Sequence, residues 1–153
     1  MLEKRPITRD NLRALLMLKL RPDQENLVAS NPVTIAQAAY EPNSVVFGLW
    51  DGEQAVGLFA MTDLPKHPDG VKTGDVPDAP VLWRLMISAD NQGRGYGRAA
   101  MELVKQVARE WGYRKLASSV VDAPNSNMGF YEAMGFSQTG GTVDGELVIV
   151  TDI

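Results

Sequence analysis

The fold is decided by the stretch Gln92-Gly93-Arg94-Gly95-Tyr96-Gly97-Arg98, which joins an apolar strand pattern to a long helical pattern. Its alternate glycines let the backbone turn tightly and approach a ligand without Cβ clashes. The first amides of a helix lack intrahelical acceptors, and the helix dipole favours negative charge beside them. Arg94 and Arg98 can add charge-assisted hydrogen bonds to phosphate. The stretch therefore predicts a cradle for an anion such as a pyrophosphate.

The chain after this stretch alternates between helical and strand patterns, and the segment just before it is apolar on both faces, as in a central strand. Helical spacing continues to Trp111. The pattern predicts, in order, a strand over 81–89, a helix to Trp111, a strand over 116–121, a short helix over 127–134 ended by Gly135, and a hairpin of 136–143 and 147–152 about Asp144-Gly145.

The N-terminal half contributes short helices and one hairpin. Asp51-Gly52 between two apolar runs is a strong hairpin signal. The patterns predict, in order, a strand over 7–10, a helix over 12–20 capped by Asp10, a short helix from Pro22, a helix over 35–40 capped by Thr34, strands over 45–50 and 55–61, and a loop over 63–80. Together these elements predict a mixed sheet with helices packed on it.

Composition excludes several classes of protein. The 153 residues, 44% hydrophobic and 22% charged, predict a single domain over residues 1–153. A net charge of −4 lacks the basic footprint of a nucleic-acid binder. The N-terminus has no signal-peptide core and no apolar run is long enough to span a membrane, so we expect a cytoplasmic protein. The chain lacks cysteine and has one histidine, His67, so we expect no metal site and no cysteinyl intermediate.

Three interpretations of the glycine stretch compete. It is a tight turn without a ligand, a dinucleotide fingerprint, or a coenzyme A cradle. Gly95, Gly97 and Ala100 satisfy the dinucleotide pattern G-x-G-x-x-A. However, only one complete βαβ unit follows, which is too little chain for two mononucleotide-binding halves.

Two motifs carry a resemblance to a known family. Gln92, Gly95 and Gly97 match Q/R-x-x-G-x-G/A, and residues 130–136, Phe-Tyr-Glu-Ala-Met-Gly-Phe, match F/L-Y-x-x-x-G-F. The sequence resembles the GCN5-related N-acetyltransferase (GNAT) family over nearly the whole chain. The resemblance implies an α+β (mixed α/β) GNAT fold, with a central, mostly antiparallel mixed sheet of six to seven strands and about four helices. It also implies acetyl-CoA as co-substrate.

A looser resemblance points to the bacterial spermidine/spermine acetyltransferases of that family. It rests on four runs: 24–28, 47–52, 56–59 and 145–150. It implies a small-molecule amine acceptor, a polyamine such as spermidine or spermine, and it allows a homodimer. The sequence leaves two alternatives open, a non-catalytic acyl-CoA-binding sensor or partner domain and a protein N-terminal or lysine acetyltransferase.

The resemblance also assigns residues to the coenzyme and to the chemistry. Tyr131 is the candidate acid that protonates the leaving thiolate in a ternary complex. The backbone of the strand at Leu85, Met86 and Ile87 would pair with the pantetheine. The remaining coenzyme contacts would come from Gln92, Gly93, Arg94, Gly95, Tyr96, Gly97, Arg98 and Asn125, where Asn125 substitutes for a family asparagine at the position of Pro124.

The general base is the weakest part of the sequence assignment. The polyamine relatives often have an acidic residue just before the strand arginine, and here Trp83 precedes Arg84. A water chain is an equal alternative to any single carboxylate. The candidate acceptor-side residues are Asp23, Gln24, Glu25 and Asp63, with Glu41 as a further acid.

Overall fold

A computed structural model describes all 153 residues. It contains seven strands, four α-helices and four short 3-10 turns. The strands are β1 (Leu2–Pro6), β2 (Ser44–Asp51), β3 (Gln54–Thr62), β4 (Val81–Ile87), β5 (Lys115–Val121), β6 (Ser137–Val143) and β7 (Glu146–Asp152). The helices are α1 (Leu12–Leu16), α2 (Asn31–Tyr40), α3 (Tyr96–Glu110) and α4 (Met128–Ala133), and the 3-10 turns are Pro22–Gln24, Leu64–Lys66, Pro68–Gly70 and Ala89–Asn91.

All seven strands form one sheet in the order β1-β2-β3-β4-β5-β7-β6. Every neighbouring pair is antiparallel except β4 and β5, which are parallel. The predicted α+β fold with a mixed, mostly antiparallel sheet of six to seven strands is therefore confirmed. The main core lies between the sheet and α3, whose buried face includes Met101, Val104 and Ala108. An amphipathic helix with this apolar stripe must bury it against another element.

The centre of the sheet is distorted in two ways. Ala60 pairs with Arg84 but Met61 pairs with Leu82, so Trp83 is an extra, bulged residue in β4. In addition, β4 and β5 share only two register pairs, Val81 with Ala117 and Leu82 with Ser118, although each strand has seven residues. Bulges bend a strand and interrupt its pairing. The two strands consequently separate beyond Leu82 and open a cleft in the sheet.

The predicted N-terminal strand and first helix are wrong in position. The first strand is Leu2–Pro6, which pairs along β2, whereas residues 7–11 form a turn in which Thr8 and Asn11 exchange hydrogen bonds. Asn11, not Asp10, stands at the N-cap of α1. The helix ends at Leu16, and beyond it the Lys19 carbonyl accepts a hydrogen bond from the Ala89 amide, just after β4. Tertiary pairing here overrides the helical spacing of the leucines.

The third predicted helix begins four residues earlier than expected. Helix α2 starts at Asn31, with Pro32 in its first turn and Thr34 buried inside it rather than capping it. Proline has no amide hydrogen to lose at a helix start and its φ angle suits the first turn. Pro32 therefore begins a helix where the sequence interpretation treats it as a break.

Candidate functional site

The separated part of β4 offers backbone groups to the cleft that no neighbouring strand pairs. A Cβ at Gly57 of β3 would overlap the Met86 carbonyl oxygen, so the Met86 carbonyl faces β3. Peptide groups alternate in direction along a strand, so those of Leu85 and Ile87 face the opposite edge, where β5 has moved away. The Leu85 peptide groups and the Ile87 N–H can pair with an extended amide-containing ligand, as a neighbouring strand would, whereas the Ile87 carbonyl accepts a hydrogen bond from the Gln92 side chain.

The glycine stretch forms the other side of the cleft. Gly93 and Gly95 have φ angles of +75° and +82°, a region open to glycine at little cost. Gly95 is the N-cap of α3, and its carbonyl accepts the first helical hydrogen bond, from Ala99 at 3.2 Å. The preceding amides have no acceptor in the chain, which is the general state of a helix N-terminus. They therefore present several parallel donors to an anion.

Two side chains secure this cradle from opposite directions. The Gln92 amide nitrogen donates to the Ile87 carbonyl oxygen at 3.0 Å and to Oε1 of Gln24 at 2.7 Å. The sequence predicts Gln24 on the acceptor side, but its side chain pairs with Gln92 instead. The Tyr96 hydroxyl donates to Asp51 at 2.5 Å, so only the Tyr96 backbone remains for an anion. That contact raises the pKa of Tyr96 and lowers the pKa of Asp51.

A pocket of about 410 Å³ lies against the cradle, and we call it the main pocket. It is bounded by Leu85 and Ile87 of β4, by the start of α3, and by Phe130 and Tyr131 of α4. A Cβ at Gly97 would lie 3.1 Å from the Phe130 ring, so α3 approaches α4 closely at this point. Arg98 lines this pocket, and both Arg98 and the nearby Arg94 are exposed and form no ion pair in the chain.

Asn125 does not point its side chain freely into the main pocket. Its amide donates to the Asp23 carbonyl oxygen at 2.8 Å and to Oδ1 of Asn26 at 3.0 Å. The N-terminal segment 22–29 is thus tied to both walls of the cleft, through Gln24 on the β4 side and Asn125 on the β5 side. The neighbouring Asn127 lines the pocket instead.

A second, smaller pocket lies on the other side of the cleft, and we call it the polar pocket. Its volume is about 180 Å³, and Arg84, Ser119, Asn127, Tyr131 and Glu146 contribute to its wall. Glu146, the first residue of β7, lies opposite Val121 of β5 and accepts a hydrogen bond from Ser119 at 3.0 Å. No motif in the sequence marks Glu146, and only the pairing of β7 with β5 brings it to the cleft.

Tyr131 lies on the wall that the two pockets share. Its side chain is held edge-on between the rings of Phe130 and Phe136, at centroid distances of 5.2 and 5.4 Å. Burial raises the pKa of Tyr131 to about 12, against a smaller lowering by the nearby Ser118 hydroxyl. A buried phenol disfavours its charged form, so Tyr131 stays protonated at neutral pH and can donate a proton or a hydrogen bond.

The comparison with known proteins agrees with this architecture. The model of the acetyltransferase (GNAT) family matches residues 11–136. This chain belongs to the GNAT family. The predicted resemblance to this family is confirmed, and the predicted acyltransferase class with acetyl-CoA as co-substrate agrees with the membership.

Individual relatives of this GNAT chain come from mammals. N-acetyltransferase family 8 member 2 of Rattus norvegicus is 32% identical over 89 residues, which are 58% of this chain and 37% of the relative. N-acetyltransferase 8F1 of the same species is 32% identical over 89 residues, 58% of this chain and 38% of that protein. The chain thus spans less than two fifths of the length of these curated relatives. They are not bacterial polyamine enzymes, so the narrower resemblance stays a prediction.

Solved structures share the fold of this GNAT chain at low sequence identity. The GNAT domain of S. lividans PAT has a TM-score of 0.76 at 19% identity, covering 98% of this chain and 89% of that one. An acetyltransferase from Thermus thermophilus has a TM-score of 0.69 at 23% identity, and the match covers 100% of this chain and 97% of that one. The PaiA N-acetyltransferase from Thermoplasma acidophilum, in complex with coenzyme A, has a TM-score of 0.68 at 12% identity, and the match covers 100% of this chain and 99% of that one.

Only one of the three predicted acceptor-side acids of the GNAT chain reaches the polar pocket. Asp63 is 4% exposed, accepts a hydrogen bond from Tyr113 at 2.6 Å and lies 3.6 Å from Lys66, outside both pockets. The carboxylate of Asp23 pairs with Arg21 at 3.2 Å. Glu25 lines the polar pocket. Nothing in the sequence distinguishes these three environments, because each depends on contacts made far along the chain.

The remaining expectations concern metals and membranes. No group of three or more acidic or histidine side chains could hold a metal ion. No helix has both the length and the apolar character needed to cross a bilayer. The cytoplasmic location and the homodimer stay predictions.

Proposed function

We propose that this chain acts as one acetyltransferase domain over residues 1–153 and moves an acetyl group from acetyl-CoA to a primary amine of a small molecule. The observation that carries the proposal is that Tyr131 lies on the wall common to the main and polar pockets. A donor in one pocket and an acceptor in the other would meet beside this phenol. Holding both reactants in place favours direct attack in a ternary complex.

The main pocket has the donor groups that a coenzyme with a pyrophosphate needs. The free amides from Gly93 to Arg98 can bind the phosphate oxygens, and Arg94 and Arg98 can add charge-assisted hydrogen bonds. The cleft-facing peptide groups of Leu85 and Ile87 can pair with the pantetheine amides and supply an N–H to the thioester oxygen. Acetyl-CoA supplies the activated acetyl group that is transferred.

The two proton transfers would fall to Glu146 and Tyr131. When the amine nitrogen bonds to the acetyl carbon, Glu146 accepts the amine proton, directly or through one water. As the carbon–sulfur bond breaks, Tyr131 gives its proton to the sulfur. The carboxylate gains one proton and the phenol loses one. Both groups return to their starting protonation states when they exchange protons with solvent.

A polyamine, the narrower acceptor, would find two carboxylates in the polar pocket. Glu25 and Glu146 line the polar pocket, whereas Asp23 and Asp63 are engaged in other contacts. A protein acceptor would need a larger groove than a pocket of about 180 Å³. A non-catalytic sensor is favoured only by the missing acid before Arg84, and Glu146 offers a carboxylate in the same pocket.

A thiol-release assay tests the proposed function. Acetyl-CoA is offered with spermidine, spermine, small diamines, amino acids and a peptide, and released coenzyme A is measured. Glu146→Gln should lower kcat by about 10²-fold or more, the usual range for a lost acid or base. Glu110→Gln, at an exposed acid at the end of α3 and outside both pockets, should leave kcat unchanged. If no amine stimulates thiol release although acetyl-CoA binds, the chain is a sensor and not an enzyme.

A further inference from the structure

Arg84 is a cation without a counter-ion on the wall of the polar pocket. One guanidinium nitrogen donates to the Trp83 carbonyl oxygen at 2.7 Å, and the other donates to Oε1 of Gln37 at 3.3 Å. Its Nε is buried and has no partner, and Arg84 takes part in no ion pair of the chain. The guanidinium also lies 5.3 Å from the centroid of the Trp83 ring, and its hydrogen bonds go only to neutral oxygens, so no anion of the chain pairs with it.

This arrangement favours an anionic ligand. Partial burial lowers the pKa of the Arg84 guanidinium, which reports the cost of holding a charge away from water. A buried charge is costly unless it is paired. The planar fork of arginine matches a carboxylate or a phosphate in two-point geometry, and a carboxylate is the smaller of the two. Trp83, the bulged neighbour, also lines this pocket, and its Nε1 is a second buried donor without an acceptor.

The polar pocket therefore has two opposite charges. Arg84 comes from β4, and Glu146 comes from β7 across the cleft, close enough that the Glu146 charge acts on Arg84 and on Tyr131. The two residues do not form an ion pair with each other. A pocket of about 180 Å³ leaves room for a small molecule between them. A molecule that matches these charges would place an ammonium group toward Glu146 and a carboxylate toward Arg84.

We infer that the acceptor is a small amino acid, whose amine is acetylated near Glu146 while its own carboxylate is held by Arg84. This inference rests on the proposed transferase function and narrows its acceptor. Arg84 would be a specificity-determining residue. A polyamine would bring a second positive charge next to Arg84, and a peptide N-terminus has no carboxylate beside its amine. Like charges in a partly buried site repel, so the polyamine should be a poorer acceptor, and the peptide should be poorer because it leaves Arg84 without an anionic partner.

Matched sets of acceptors test the inference. Each set contains an amino acid, its carboxamide and its decarboxylated amine, which share one side chain and differ only in the group near the amine. For the wild-type chain, kcat/KM should favour the amino acid over both analogues by about 10- to 100-fold, the range for hydrogen bonds to a charged group. Spermidine and a short peptide are included as the rival acceptors.

Substitution of Arg84 should remove this preference specifically. In Arg84→Met, kcat/KM for the amino acid should fall by about 10- to 100-fold, while the value for the decarboxylated amine and the Kd of acetyl-CoA stay unchanged. Arg84→Lys should keep part of the preference, since it keeps the charge but not the fork. This second variant is decisive if Arg84→Met does not fold. Arg109→Met, on the exposed last turn of α3, is the control and should change nothing.

The outcomes separate this inference from the function on which it rests. If the chain acetylates plain amines, polyamines or peptides as well as amino acids, and Arg84→Met or Arg84→Lys leaves the ratio unchanged, the amino acid inference is wrong and the transferase stands. If acetyl-CoA binds but no acceptor of any set is acetylated, both are wrong. Selective loss of amino acid turnover in the Arg84 variants supports both.

Discussion

Replacement of Tyr131 by phenylalanine is the sharpest test of the proposed chemistry. The change removes one hydroxyl from a side chain that is 5% exposed and held between two aromatic rings, so the ring packing should survive. The phenol has a pKa raised to about 12, whereas a thiol has one of about 8.5. Full proton transfer from Tyr131 to a thiolate is therefore uphill by roughly 5 kcal/mol.

This unfavourable balance sets the size of the expected effect. An ordinary phenol with a pKa near 10 would face a deficit smaller by about 2.7 kcal/mol. General acids contribute about 10² to 10⁴ in rate, and a donor that is weakened in this way belongs at the low end. We expect Tyr131→Phe to lower kcat by about 10² with little change in the Kd of acetyl-CoA. Single-turnover kinetics would separate the chemical step from product release.

The chain offers a matched control in Tyr113. Its pKa is also raised to about 12, by burial and by its hydrogen bond to Asp63, but it lies outside both pockets. Tyr113→Phe should destabilise the fold by about 1–3 kcal/mol, because Asp63 loses a partner, and should leave kcat unchanged at a temperature where the variant is folded. Equal kcat values for Tyr131→Phe and the wild type would refute the role of Tyr131 as the acid.

Three further predictions follow from the backbone and from the tyrosines. Gly95→Val should abolish coenzyme binding in calorimetry while unfolding stays cooperative, because φ is +82° at the α3 N-cap, and an unchanged Kd would contradict the cradle. Gly57→Ala should lower the free energy of unfolding by more than about 3 kcal/mol, measured by thermal unfolding, because its Cβ would overlap the Met86 carbonyl oxygen. The control Gly129→Ala, at an exposed helical position with open space, should be neutral or stabilising. Because Tyr113 and Tyr131 have raised pKa values, their contribution to stability is complete below about pH 10 and is lost toward pH 12. Tyr131→Phe should therefore make the free energy of unfolding depend less steeply on pH in that window. A pH profile identical to that of the wild type would argue against this reasoning.

The parts of the fold that the sequence predicts correctly depend on short-range signals. Asp51-Gly52 marks the β2–β3 hairpin, and the glycine stretch marks the turn from β4 into α3, because both require backbone conformations that few residues adopt. The first strand is misplaced in the prediction because β1 has no apolar pattern of its own. It forms an edge strand through its pairing with β2, from Leu2 opposite Asp51 to Pro6 opposite Phe47.

The candidate site divides in the same way. The cradle and Tyr131 belong to contiguous motifs, so the sequence can identify them. Glu146 has no such motif, because its place depends on the register of β7 along β5. Asp63 is expected on the acceptor side but lies outside both pockets, because its hydrogen bond with Tyr113 joins residues 50 positions apart. The pairing of Gln24 with Gln92 spans 68 positions and has no local signature either.

The bulge at Trp83 connects the two halves of the site. With one extra residue in β4, the strand loses its pairing with β5 after Leu82, and the peptide groups of Leu85 and Ile87 become available to a ligand in the main pocket. The same extra residue lies beside Arg84 on the wall of the polar pocket. A change that removed the bulge would therefore restore strand pairing and disturb both sites together. Coenzyme and acceptor binding should respond jointly to such a change, whereas changes at Arg84 alone should affect the acceptor only.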